Sequence, residues 1–166
     1  MSGPIQLLNL TLSLLAFSLV AKWYVLPRLG AVPLKAALEP FLLLHSFRHI
    51  GLMFLANGAV KTTLPAAFAQ PAAWGDLATS ILAFVSLLAL RRGWAGALGL
   101  VWGFNLVGTV DLFNAVGRGV MHNAAAGMGA TFWIPSVVVP ALLVTHALVF
   151  VLLVREQRTA ANPGAA

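Results

Sequence analysis

The sequence predicts an all-α, polytopic transmembrane bundle of five helices, and three observations carry that prediction. Hydrophobic residues fill 60% of the 166 positions and charged residues only 8%, against about a quarter charged in soluble domains. The apolar residues collect in five runs, each near the roughly 20 residues that a helix needs to cross a bilayer. The basic residues concentrate on alternate connections between those runs, as they do when one side of a membrane retains them.

The first span is expected over about residues 5–21. No basic segment precedes it and no small-residue cleavage site follows it, so it reads as a retained helix rather than a secretory signal. Lys22, Trp23 and Tyr24 close it as interfacial anchors do. Leu26 to Leu38, with Arg28, Lys35 and two prolines, reads as a loop or short interfacial helix. Pro40 suits a first helical position, where its missing N–H loses no partner, and the second span is expected over about 40–60.

After a short loop with Pro65, the third span is expected over about 71–90, turning at Arg91-Arg92-Gly93 into a fourth over 94–116. Gly117 to Ala130 form the longest connection, and the fifth span covers about 131–154. Pro140 inside it should free a backbone carbonyl one turn earlier and kink the helix. Residues 1–158 make one domain, and 159–166 read as a disordered tail.

Connections on alternate sides divide the ten basic residues. Lys22, Arg28, Lys35, Arg91, Arg92, Arg155 and Arg158 fall on one side, and Lys61 and Arg118 on the other, while Arg48 lies within a span. Seven against two places the N-terminus outside and the C-terminus in the cytoplasm. Trp23, Trp74, Trp94 and Trp133 fall at span ends and support the same boundaries. The sequence pI near 11.3 is therefore an orientation signal and not a nucleic-acid footprint. With no cysteine in the chain, disulfides, thiolate metal ligands and cysteine nucleophiles are excluded.

The chemistry concentrates in Glu39-Pro-Phe-Leu-Leu-Leu-His-Ser-Phe-Arg-His-Ile, where His45, Arg48 and His49 interrupt an apolar run. At about 100° per residue, all three fall within about 100° of arc and share one helical face. A charge in lipid costs several kcal/mol, so that face must look into the bundle. On the third span Asp76, Thr79, Ser80 and Ala83 form a small and polar stripe at i, i+3, i+4 and i+7. Asn105 and Asp111 lie on the fourth span, and His146 on the fifth. At about 1.5 Å per residue, His45 and His146 come out at one depth, Arg48 near the midplane, and Asp76 and Asp111 toward the outside.

Four readings fit those residues. Arg48 with Asp76 or Asp111 is a buried structural ion pair that fixes helix order. His45, Arg48, His49, Asp76, Asn105, Asp111 and His146 form a ligand-binding or proton-handling cluster, with imidazoles that exchange protons near neutral pH and a fixed guanidinium charge. His45 and His146 are the axial ligands of a b-type haem, in a redox subunit. His45 and His49, at HxxxH spacing, hold a divalent metal with a third ligand, in a membrane enzyme acting on a lipid or quinone. Against the last, no Glu stands in HExxH register and Arg48 would repel a cation. His122 and Glu39 read as solvated residues.

Gly51 to Asn57 and Gly108 to Asn114 share the pattern GxxxLxN, which would fit a duplicated two-helix unit such as some transporters carry. In composition and layout the chain is similar to small bacterial inner-membrane proteins, a likeness that assigns no site residue. The expected protein is a multi-pass resident of the bacterial inner (plasma) membrane that binds or moves a small molecule or a proton. Its expected partners are the lipid bilayer, a small-molecule ligand, and a second copy or another membrane chain.

Overall fold

A computed structural model describes residues 2–161 of the chain, and among these it is all-helical, with no strand. Four helical stretches are long and apolar enough to cross a membrane: Gly3–Leu29, Ala66–Arg92, Ala97–Met121 and Gly129–Thr159.

The first of these begins as α1 (Ser2–Val20). Its polar residues Gln6, Asn9 and Ser13 share a half-buried face, while Leu7, Leu8, Leu12 and Leu15 are all more than half exposed. A helix whose leucines point outward and whose polar stripe is half-buried is one made for an apolar surround. One π-turn (Ala21–Val25) and α2 (Leu26–Leu29) continue it, so Lys22 and Tyr24 lie within the helix rather than beyond it.

The next stretch departs most from expectation. α3 (Leu34–Ser46) starts after Pro33 instead of at Pro40. Pro40 is tolerated inside because the carbonyl it leaves unbonded belongs to Ala36, an exposed residue of the opening turns. At Ser46 the α-helix gives way to nine residues of 3-10 helix, Phe47–Leu55. Such runs rarely exceed three or four residues. The junction is held by Ser46, whose carbonyl accepts from Ser80 Oγ at 2.5 Å and from His49 Nδ1 at 2.9 Å.

α4 (Ala66–Arg92) begins five residues before the expected Pro71. Pro71 cannot donate to the carbonyl of Ala67, and Arg118 Nη1 donates to it at 3.2 Å instead. Gly93, at φ +67°, ends the helix in the left-handed conformation that glycine tolerates best. α5 (Ala97–Met121) runs five residues past its expected end, through Gly117 and Gly119. Packing overrides the weak helix propensity there, since Gly119 is buried against Phe68.

Before α6 (Val139–Ala161), the chain makes short 3-10 turns and a π-turn at Ile134–Val138. The π-turn sits just ahead of Pro140, where the sequence predicts a kink, and the Val139 N–H closes it on the Ile134 carbonyl. Thr159 to Ala161 are helical, contrary to the tail expected from 159; residues 162–166 lie outside the described residues. The two GxxxLxN segments differ in conformation, one 3-10 and one α, which speaks against a duplicated unit.

α4 is the central post, packed on α5, on α3 and on its 3-10 continuation, while α6 packs on α1, α3 and α5. The end bearing Lys35, Arg91 and Arg92 is filled by a tight apolar core in which Leu38, Leu42, Val101, Phe104 and Val149 are wholly inaccessible. A smaller apolar cluster around Phe54, Phe68 and Met128 occupies the other end. Between the two lies the polar centre.

Candidate functional site: a buried arginine between two aspartates

Arg48 reaches that centre because of the 3-10 geometry. At three residues per turn, positions i and i+3 eclipse, and the buried residues of this segment are Arg48, Gly51 and Phe54. The same geometry corrects the placement of His49. One residue on from Arg48 is a third of a turn, so His49 faces outward and is exposed. It belongs to no interior cluster and cannot pair with His45 on a metal.

The guanidinium of Arg48 has its hydrogen-bonding capacity filled. Nε donates to Asp76 Oδ1 at 2.8 Å, Nη2 donates to Asp111 Oδ2 at 2.6 Å, and Nη2 also lies 2.7 Å from Asp76 Oδ1 in a salt bridge. Nη1 donates to the Gly108 carbonyl at 3.1 Å and to His146 Nε2 at 3.3 Å. Four hydrogen bonds and a further close ionic contact thus occupy all three guanidinium nitrogens. The Arg48 side chain is 1% exposed, Asp76 14% and Asp111 11%.

Asn105 fixes the imidazole that faces Arg48. His146 Nδ1 and Asn105 Oδ1 are 2.7 Å apart, and Asn105 Nδ2 donates to the His146 carbonyl at 3.2 Å. With Nδ1–H donating to Asn105, the lone pair lies on Nε2 and accepts from Arg48. His45 stacks beside it, with ring centroids 4.0 Å apart, and its Nε2 lies 3.0 Å from Thr145 Oγ1. That hydroxyl is within hydrogen-bond reach of the carbonyls of Ala141 and Leu142. It donates to them and accepts from His45, which leaves His45 Nδ1 buried with no hydrogen-bond partner.

Three glycines make room for this centre. A Cβ at Gly51 would collide with Asp76, one at Gly75 with the Asp111 carboxylate, and one at Gly108 with His146 and Thr79. Gly75, Gly108 and Thr145 are the site residues that sequence reasoning missed. The signal present was a glycine beside each aspartate, at i−1 of Asp76 and at i−3 of Asp111.

Of the seven residues expected in a cluster, six are brought together: His45, Arg48, Asp76, Asn105, Asp111 and His146. Glu39 pairs with Arg91 at 3.2 Å at the basic end, and His122 caps the end of α5 far along the chain from the centre. The residues do not fit a b-type haem. The rings of His45 and His146 touch each other, with no space for a macrocycle between them, and His146 Nε2 is taken by Arg48. No group of three or more His, Asp or Glu among the described residues is arranged to hold a metal ion.

A cavity of about 360 Å³ adjoins the centre. Its walls are mostly apolar, from Leu7 and Leu10 of α1, Leu112 of α5, Phe54, Phe68 and Ile134, with the amides of Gln6 and Asn123, and among the described residues Asp76 is the one charged residue that lines it. A second cavity of about 200 Å³, beside Phe47 and Leu142, is lined by both Arg48 and Asp76. Asp76 is thus common to the two spaces.

Residues 5–154 match the model of the family described as Domain of unknown function (DUF8737). No curated protein and no solved structure matches the chain.

Proposed function

We propose that this chain, which belongs to the DUF8737 family, is a multi-pass protein of the bacterial inner membrane that binds a small molecule in the cavity ending on Asp76. The single observation that carries the reading is that cavity: an apolar space at the low end of the about 300–1,000 Å³ usual for ligand sites, with one carboxylate at its inner wall. An ion pair needed only for stability has no use for a vestibule.

Five crossings fit the helices. Besides the four long stretches, α3 and its 3-10 continuation together extend about 37 Å, at about 1.5 Å and 2.0 Å per residue, which exceeds the about 30 Å hydrocarbon core. The basic connections then put the N-terminus outside and the C-terminus in the cytoplasm. In that orientation the cavity faces the outer half of the membrane and the tight apolar core seals the cytoplasmic half. The polar centre carries one formal positive and two formal negative charges, so one further proton would complete it, and a role in moving protons rests on that count.

The test is photo-crosslinking in reconstituted vesicles with a decyl chain that carries a diazirine and a hydroxyl head. Saturable labelling of α1, α5 and residues 124–139, lost when Ala115→Phe fills the cavity, is the expected result. Labelling that stays linear with probe, or that survives Ala115→Phe unchanged, refutes a ligand site.

A further inference from the structure

We infer that the molecule taken by the cavity is a small apolar amine, an ammonium head on a hydrocarbon body, whose N–H groups donate to Asp76 Oδ2. This rests on the reading of the cavity as a ligand site, and three observations choose the head.

The first is the saturation of Arg48. Among the described residues it is the only basic one lining either cavity, and its three nitrogens already make four hydrogen bonds and two salt bridges within the protein. A carboxylate or phosphate entering the cavity would find no free cation among the described lining residues, only the neutral amides of Gln6 and Asn123, which hydrogen-bond an anion without offsetting its charge.

The second is the asymmetry of Asp76. Both of its bonds from Arg48 arrive at Oδ1, and Oδ2 receives none. Oδ2 lies over Gly51, where any side chain would collide with it, and its carboxylate borders both cavities. It is an acceptor presented to a space, which a donor head satisfies.

The third is charge. Two carboxylates face one guanidinium, and in a surround of low dielectric the surplus negative charge calls for one more positive charge close by. An ammonium at Oδ2 supplies it; an alcohol donates a hydrogen bond but leaves the imbalance. The apolar walls accept the hydrocarbon body, and the modest volume restricts it to a small one.

The experiment sets decylamine, decanol and decanoate against the decyl diazirine alcohol in wild-type vesicles, with each competitor expressed as its concentration in the lipid phase. Decylamine is expected to displace the label at least tenfold more effectively than decanol, and decanoate no better than decanol. In Asp76→Asn, where the alcohol probe also loses its acceptor and labels more weakly, the advantage of decylamine over decanol falls below threefold. An advantage that persists in Asp76→Asn overturns the inference. So does a wild-type ranking in which decanoate matches or exceeds decylamine, and that ranking decides alone if the variant fails to accumulate. If the alcohol probe labels saturably while all three competitors act alike, the amine inference fails and the ligand site stands. If the probe never labels saturably, the ligand site itself fails.

Discussion

Replacing Arg48 should be far more damaging than replacing either aspartate, and the charge count of the centre says why. In Arg48→Met the two carboxylates, previously bonded to one guanidinium at 2.6 to 2.8 Å, face each other with no cation. Breaking a buried ion pair by removing one partner costs about 3–5 kcal/mol, and here two partners are orphaned, so the upper part of that range applies. In Asp76→Asn, by contrast, Arg48 and Asp111 remain as a one-to-one pair, and the Asn carbonyl can still accept from Nε. The expected loss is then about 1 kcal/mol, that of a weakened hydrogen bond. The triple variant Arg48→Met, Asp76→Asn, Asp111→Asn removes every charge at nearly constant volume and should recover most of the loss, because neutral replacements of buried ion networks are often tolerated. Reversible unfolding in mixed micelles, followed by helical ellipticity, measures all three. The reasoning is refuted if Asp76→Asn is as destabilising as Arg48→Met, or if the triple variant is no more stable than Arg48→Met.

Other outcomes follow from the same geometry. Gly75→Ala should destabilise by about 1–3 kcal/mol through overpacking against the Asp111 carboxylate, whereas Gly99→Ala, with open space around it, should be neutral or stabilising by up to about 1 kcal/mol; equal melting temperatures would contradict the packing described. His45→Ala should cost about 2–4 kcal/mol as a cavity in the core, and His49→Ala no more than about 1 kcal/mol, since its ring is exposed and loses only the bond to the Ser46 carbonyl; a reversal would mean that the 3-10 segment is not the stable conformation. The chain has no native cysteine, so single cysteines report topology cleanly. Asn123→Cys should react with an impermeant maleimide from the outside of intact cells and Gly93→Cys only after permeabilisation, and the opposite pattern would invert the proposed orientation.

Most of the helical layout was legible because membrane helices leave a coarse signal. Long apolar runs and basic connections located α1, α4, α5 and α6, and the errors lie at their ends, where proline was read as a boundary. Pro40 and Pro71 both sit inside helices, the first because its orphaned carbonyl is exposed and the second because Arg118 supplies the missing donor. No local pattern announces a donor 51 residues away. The polar centre was legible for another reason: a charge within an apolar run must find a partner, and Arg48 with Asp76 and Asp111 left few choices. What failed was the angular reading of His49, which assumed 3.6 residues per turn where the chain uses three. The contrary signal was present in Arg48, Gly51 and Phe54, a period-three set of one charge, one missing side chain and one aromatic ring. Read with that period, Gly51 falls directly below Arg48 and opens the space in which Asp76 Oδ2 stays uncovered. A regular α-helix through residues 47–55 would turn Gly51 away from Arg48 by about 60° and set a side chain nearer that oxygen. The unusual length of the 3-10 segment is therefore tied to a carboxylate oxygen that the protein leaves without a donor and that borders both cavities.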